Sequence, residues 1–312
     1  MKRKLSIIVP VFNNENEIKR CVDSIYASKI IIPEVILVDD GSTDMSGMIC
    51  DELARQYESL RVIHKENGGT SSARNSGVEV AEGKYIGFVD GDDYIEPNMY
   101  QKLLSEIHDF DCVMCGIYKN DIPIKINMDK KIVTGTEVVK EVIGNGTYKG
   151  YVVNKLFKKD IILNNNIRFK QDVHMCEDLI FCLEYLSHVR LVCCLSDNLY
   201  HYVIRSGSAS TGGFSNKKFS MIYAYNYILK MEIIKSEPRY KTIVTNRKIR
   251  HCISMWNQMS HMKFSLEDQY YRSILDEICK SPISFLLSKY EPVKYRICYL
   301  YVVLKYKKKL SK

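Results

Sequence analysis

The chain has 312 residues, 46% of them hydrophobic and 26% charged, the balance of a soluble globular protein with room for a catalytic core and an appendage. Its 11 cysteines are odd in number and scattered, which excludes a disulfide framework as the organising principle and fits a reducing cytoplasm. The formal charge is +8, yet Lys294, Arg296, Lys305, Lys307, Lys308, Lys309 and Lys312 follow Pro292 with no acid among them, leaving a nearly neutral body that argues against a broad nucleic-acid surface.

Met1-Lys-Arg-Lys followed by apolar residues superficially resembles a secretion signal. Ser6 and Pro10 interrupt the run, it flows into Asn13-Asn14-Glu15, and no small-residue cleavage site follows, so it reads as a first strand. No segment reaches the ~18–20 apolar residues needed to span a bilayer.

Short apolar runs then alternate with amphipathic stretches. Residues 5–9, 34–38, 61–64 and 85–89 read as strands, and 15–27, 44–57 and 70–81 as helices, with Asn14 and Thr43 or Asp44 as N-caps. This βαβ series predicts an α/β fold, a mostly parallel sheet with helices on both faces. Pro97 opens a further helix, 112–117 is a strand, 134–142 and 177–186 are helices, and 189–195 and 199–204 are two strands. Cys112-x-x-Cys115 and Cys193-Cys194 lie in these apolar segments without a second pair at zinc spacing, so they read as core thiols. Ser206 to Gly213 is the clearest flexible stretch, a candidate boundary or mobile loop, and the expected organisation is an α/β domain at 1–211 followed by a helical region at 212–312, punctuated by Pro238, Pro282 and Pro292.

The most informative segment is Tyr85-Ile-Gly-Phe-Val-Asp-Gly-Asp. Five strand-like residues run into Asp90, Gly91, Asp92 and Asp93, where a parallel strand would end and ligands usually bind. Clustered carboxylates repel one another unless a cation sits among them, and hard oxygen ligands suit Mg or Mn completed by substrate phosphates. An isolated D-x-D is better explained as an acidic, solvated turn with Asp and Gly chosen for turn geometry. Two other strand ends, Val9-Pro10-Val11-Phe12-Asn13-Asn14-Glu15 and Val38-Asp39-Asp40-Gly41-Ser42-Thr43-Asp44, lack the Gly-x-Gly-x-x-Gly of a dinucleotide site and instead offer amides and carboxylates suited to a nucleobase edge. Asn67-Gly-Gly and Arg74-Asn75 add an amide, a tight turn and a cation able to neutralise the acids or contact a phosphate.

In this order and spacing, VPVFNNEN, VDDGSTD, NGGTSSARNSG and FVDGDD resemble the inverting glycosyltransferases of family 2, which have the GT-A fold. NKLFKKDII at 154–162, Ile167-Arg-Phe and Glu177-Asp-Leu extend the resemblance over about residues 4–211, whereas the last hundred residues match nothing nameable. The resemblance implies that Pro10, Val11, Asn13 and Glu15 line a base and ribose pocket, that Asp40 or Asp39 reads the base, and that Asn67 and Arg74 lie beside the nucleotide. It implies that Asp90 holds ribose or metal-bound water, that Asp92, with Asp90, serves a divalent ion (Mn or Mg), and that Asp93 stands behind them. Asp178 becomes the base that deprotonates the acceptor hydroxyl, with Glu177 beside it; by themselves, both acids could equally complement a helix N-terminus. Arg205, Ser208 and Ser210 would belong to a lid over the diphosphate, Lys155 to the acceptor or the loop before Asp178, and His201 is a structural residue or an extra metal ligand.

The activity so implied is metal-dependent, inverting transfer of a sugar from a nucleotide diphosphate, UDP first among them, to a saccharide in surface-polysaccharide synthesis. The acceptor would be lipid-linked, and the enzyme cytoplasmic or peripheral on the inner membrane face. Two alternatives stay open: a sugar-nucleotide nucleotidyltransferase, which would want a glycine-rich basic loop where Asn13-Asn14-Glu15 stands, and a non-catalytic glycan-assembly scaffold.

Overall fold

The computed structural model describes residues 4–28, 30–126, 129–144, 146–204, 215–262, 264, 266, 268–288 and 291–310. They group into two compact units, Met1–Arg205 and Ser206–Lys312. The expected boundary at 211/212, together with Arg205, Ser208 and Ser210, lies outside the described residues.

The first unit opens as the periodicity predicts: β1 (Leu5–Val11), α1 (Ile18–Tyr26), β2 (Glu34–Asp39), α2 (Ser46–Gln56), β3 (Leu60–His64), α3 (Thr70–Val80) and β4 (Tyr85–Phe88). Strands β3, β2, β1 and β4 lie side by side and parallel. Their strand ends therefore share one edge, where Asp39 closes β2, Asp40 follows it and Asp90 lies two residues beyond β4. β1 and β2 are buried along their whole length, as a sheet covered on both faces requires.

Beyond β4 come β5 (Tyr94–Ile95), α4 (Met99–Glu106), β6 (Cys112–Lys119), β7 (Ile122–Pro123), β8 (Lys131–Thr134), α5 (Gly135–Ile143), β9 (Lys155–Lys158), α6 (Lys159–Asn164), α7 (Glu177–Leu186) and β10 (Leu191–Tyr202). The sheet order is β3-β2-β1-β4-β9-β6-β10-β5, with β9 antiparallel to both β4 and β6 and with β10 parallel to β6. The sheet is thus mixed, a parallel half joined through one reversed strand to a second parallel pair. Phe88, Phe157, Phe169, Phe181 and Tyr185 form an aromatic cluster in edge-on and stacked contacts beneath the ends of β4 and β9. Such contacts add about 0.5–1.5 kcal/mol each beyond area burial.

Several local expectations differ from the structure. Residues 189–195 and 199–204 are one strand, β10; its register against β6 shifts between Cys194 and Asn198 and again before Tyr200, so the polar Ser196-Asp197 marks a bulge and not a break. Helix α1 starts at Ile18 after Glu17, because the Asn14 side chain turns back to accept from the Phe12 amide; only its carbonyl receives the Glu17 and Ile18 amides. Neither Thr43 nor Asp44 is the N-cap of α2, which Met45 occupies, although the Asp44 carboxylate accepts from Ser46 N. Pro97 precedes α4 by two residues, with Asn98 as its cap. Thr134 caps α5, through a reciprocal box with Glu137. All 11 cysteines are free thiols, and Cys112, Cys115, Cys193 and Cys194 are buried in β6 and β10.

The second unit is helical: a short 3-10 turn (Asn216–Phe219), α8 (Ser220–Ile228), α9 (Glu232–Lys235), α10 (Pro238–His261), α11 (Gln269–Cys279), α12 (Ser284–Leu287) and α13 (Val293–Leu310). Pro238 stands in the first turn of α10, where its missing N–H costs nothing. Its core joins Ile253, Trp256 and Met259 of α10 to Ile274 and Ile278 of α11, Phe285 of α12, and Tyr299 and Val302 of α13.

Candidate active site

The edge of the parallel strands is stitched by side chains from two loops. Asn13, at a positive φ of 53°, accepts through Oδ1 from Thr43 N at 2.9 Å, while its own amide donates to Ser42 Oγ at 3.1 Å. The Asn14 amide donates to Ser46 Oγ, the Glu15 amide to Asp44, and Glu15 Oε2 receives the Met45 amide at 2.9 Å. Pro10 and Val11 are buried within β1, and the Val11 carbonyl accepts from Asp40 N.

The paired acids after β2 are separately employed. Asp39 accepts from Ser42 N at 3.0 Å and meets His64 Nδ1 at 2.9 Å. Burial alone would raise its pKa, but these hydrogen bonds outweigh burial and hold it below the ordinary aspartate value. Asp40 is buried, and its carboxylate receives Lys65 Nζ at 2.7 Å, Gly68 N at 3.0 Å and Gly69 N at 2.7 Å. Gly69 has φ of +83°, a conformation that glycine adopts without strain, and Asn67 Nδ2 donates to the Asp40 carbonyl. Asp40 thus clamps the Asn67-Gly-Gly turn that feeds α3.

From α3, Arg74 enters the centre of the site, almost wholly buried. One terminal nitrogen donates to Asp90 Oδ1 at 2.8 Å; the other lies 2.5 Å from Asp178 Oδ1 and 3.6 Å from Glu177 Oε1. Its guanidinium carbon is 5.2 Å from the centroid of the Phe169 ring. A planar fork suits this double reach. Burial opposes the charge of Arg74, but Asp178, Asp90 and Glu177 more than reverse that, and its pKa is raised.

Glu177 and Asp178 begin α7 and, like Asp90, are partly accessible. Asp178 is raised by burial, with Arg74 pulling the other way. Burial and then the Asp178 charge push Glu177 up to about 8. The second oxygen of Asp178 accepts from Val152 N at 3.3 Å.

Gly91 is closely packed between the two acids flanking it: a Cβ there would lie 3.0 Å from the Pro10 carbonyl and 3.1 Å from Asn14 Oδ1. Arg20 donates to the Asp92 carbonyl at 2.8 Å. Asp93 is buried, receives Tyr200 OH at 2.6 Å and Val203 N at 2.8 Å, and is pushed up to about 8 by burial and then by Asp90 and Asp92. The same Tyr200 hydroxyl accepts from Asp90 N, so β10 fixes the acidic turn. Among the described residues no preformed group of three His, Cys, Asp or Glu could hold a metal. The half-buried carboxylates of Asp90 and Asp92 nevertheless fit a magnesium-like ion, which usually takes one or two carboxylates and completes its shell with water and substrate phosphate.

Lys155, fully buried, donates toward the carbonyls of Tyr148, Lys149 and Tyr151 and toward Asn154 Oδ1. It therefore shapes the 148–152 loop that presents Val152 N to Asp178, and not the segment that leads into Asp178 in sequence. His201 stacks between Tyr94 and Tyr118 at 4.2 and 4.3 Å, and its nitrogens face Glu96 and Asp121. That arrangement makes it a structural residue. Sequence reasoning missed Tyr200, Lys65, His64 and Val152. A tyrosine in a strand, a cation after a strand and a backbone amide carry no distinguishing signal in a single sequence.

Comparison with known proteins matches residues 6–164 to Glycosyl transferase family 2. The glycosyltransferase EpsJ of Bacillus subtilis is 36% identical over 208 residues, 64% of this chain and 60% of EpsJ. The poly(ribitol-phosphate) beta-N-acetylglucosaminyltransferase TarP of Staphylococcus aureus is 25% identical over 300 residues, 90% of each chain. The chain thus spans less than two thirds of EpsJ, while it covers TarP more fully. The crystal structure of S. aureus TarS 1–349 with UDP-GlcNAc superimposes with a TM-score of 0.69 at 23% identity, covering 98% of this chain and 92% of that one, and shares the fold.

Replacing Lys155 by Met removes one cation and its hydrogen bonds; the Tyr148 carbonyl keeps Asn154 Nδ2 and the Tyr151 carbonyl keeps Cys182 Sγ, so the cost falls mainly on the Lys149 carbonyl and Asn154 Oδ1, at about 1–3 kcal/mol for each buried acceptor that loses its donor. The expected result is destabilisation by roughly 2–4 kcal/mol, read as a lower thermal midpoint; an unchanged midpoint contradicts the role given to Lys155.

Proposed function

We propose that this chain, which belongs to glycosyl transferase family 2 and has its α/β GT-A fold, transfers a sugar from a UDP-sugar to a hydroxyl of a saccharide acceptor, inverting the anomeric centre. The observation that carries this reading is the bridging of Asp90 and Asp178 by the single Arg74 guanidinium. One arm ends at the strand-end acids suited to a nucleoside diphosphate, the other at a carboxylate suited to an acceptor proton. TarS was crystallised with UDP-GlcNAc, which favours a UDP-sugar donor, and TarP is named for transfer to poly(ribitol-phosphate), which favours a polymeric acceptor; the acceptor proposed for this chain is a lipid-linked saccharide of a surface polysaccharide, at the inner face of a bacterial membrane.

Asp178 is the better base of its pair. Burial and the neighbouring Asp178 charge raise the pKa of Glu177 and favour its protonated form, whereas Asp178 takes the shorter contact with Arg74. The ionised Asp178 accepts the acceptor hydroxyl's proton as that oxygen attacks the anomeric carbon from the side opposite the leaving UDP. Arg74 keeps Asp178 charged against the cost of burial, and Val152 N orients its second oxygen. Asp92, with Asp90, would hold Mn or Mg, which neutralises charge on the departing diphosphate. Asp39 and Asn67, at the strand edge, are proposed to face the base; Asn13 and Glu15 shape that edge through the two-loop stitch. The carboxylate of Asp40, already engaged by three donors, contributes by holding the Asn67 turn. Arg205 remains a proposed donor contact from outside the described residues.

The test is Asp178→Asn, which keeps the shape and removes the base. UDP binding is expected to stay near native while sugar transfer falls roughly 10²-fold or more. In the unmodified protein, transfer is expected to fall on acidification at a pH above the ordinary aspartate pKa, because burial raises that of Asp178 and only its ionised form acts. NMR of the new glycosidic bond is expected to show inversion. Undiminished transfer by Asp178→Asn, or a retained configuration, refutes the assignment.

For the metal, Asp92→Ala is expected to abolish Mn-stimulated transfer without lowering the thermal midpoint, since it relieves repulsion within the acidic turn. Full activity at ordinary Mn concentration would remove Asp92 from the metal site.

A further inference from the structure

Helix α13 buries one face and leaves the opposite one apolar and bare. Tyr299 and Val302 pack into the core of the second unit. Val293, Ile297, Leu300 and Leu304 are exposed, Ile297 at 63% and Leu304 at 74%. Their spacing of four, three and four residues puts them on a single stripe along the helix, with Tyr301 at its margin. Next to α13 in the same unit, Ile283 and Leu287 at the ends of α12 are exposed at 67% and 77%. Apolar side chains scattered singly over a surface need no explanation; a continuous row does.

The charge around the row has one sign. Lys294, Arg296 and Lys305 flank it, and the sequence continues Lys307-Lys308-Lys309. No acid occurs after Glu291, which is itself buried and paired with Arg250 at 3.2 Å. Lys305 lies over the Tyr301 and Tyr306 rings at 5.1 and 5.2 Å, so a cation and amphipathic rings stand together beside the stripe. No described helix is long and apolar enough to cross a membrane. Moderate length, one bare apolar face, tyrosines at its edge and basic flanks suit a helix lying in the headgroup region of an anionic bilayer.

We propose that the α12–α13 face is a docking surface for an anionic lipid bilayer, with Val293, Ile297, Leu300 and Leu304 entering the acyl boundary and Lys294, Arg296 and Lys305 meeting the headgroups. Charge complementarity selects this occupant over a second copy of the chain, because two such faces brought together would oppose their lysines and arginines without an acid to pair them. The inference stands apart from the catalytic reading. Either can fail without the other.

The experiment is co-sedimentation of the full chain with vesicles of phosphatidylcholine alone or mixed with phosphatidylglycerol, with size-exclusion chromatography of the same samples. Binding to the mixed vesicles only, weakened by salt, is expected. Ile297→Glu with Leu304→Glu is expected to reduce that binding roughly tenfold or more at an unchanged thermal midpoint. Lys294→Gln with Lys305→Gln, which leaves the apolar row intact, is expected to weaken it while lessening its salt dependence. Absence of binding to mixed vesicles overturns the proposal, as does binding untouched by either pair of substitutions. A dimer that the Ile297→Glu, Leu304→Glu variant dissociates, without vesicle binding, overturns it in favour of self-association.

Discussion

The site depends on one buried guanidinium. Arg74 sits on a helix whose start is set by the Asp40-clamped turn, and it meets acids from the end of β4 and the start of α7. Burying a cation costs several kcal/mol, and removing it from its carboxylates would cost about 3–5 kcal/mol, because the acids would then be left uncompensated. This interaction is therefore structural and electrostatic at once. It joins segments far apart in sequence and opposes the rise that burial imposes on the pKa of Asp178 and Glu177.

Around that centre, most of the conspicuous polar residues have a structural duty as well as a chemical one. Asp93, in the acidic turn, is buried against Tyr200 and Val203 and so supports Asp90 from behind. Asp40 serves the turn before α3, leaving Asp39 less fully engaged of the two. Lys155, with no carboxylate beside it in its hydrogen-bond set, uses its charge to gather carbonyls into the loop that touches Asp178. A site built this way is held by strands and helix ends and gains precision from their rigidity.

The parallel half of the sheet was legible because each strand is an apolar run of ordinary length between amphipathic helices, and the places of Asp90 and Asp92 after β4 and of Asp178 in the first turn of a helix were legible from the local pattern. The two-residue strands β5 and β7 carry no periodicity, and the polar bulge in β10 imitates a loop. Asn14 is a good cap by residue type, but its side chain had a competing partner in the Phe12 amide. Lysine is ordinarily a surface residue, so nothing in the sequence announced that Lys155 is buried. The contact between Arg74 and Asp178 spans 104 residues, a separation at which local patterns say nothing.

Arg74 bridges Asp90 and Asp178 with its two terminal nitrogens, and in the proposed reaction this couples a donor-side acid to the base. Arg74→Lys tests it most directly, since it retains the charge but replaces a planar fork with a point charge unable to hold Asp90 and Asp178 in the same way. In a pH profile of sugar transfer at saturating donor, the account predicts a folded variant with lowered transfer and with its acidic limb moved to higher pH, as Asp178 loses the partner that keeps it ionised. Transfer at the unmodified rate, with the limb in its original place, would contradict it.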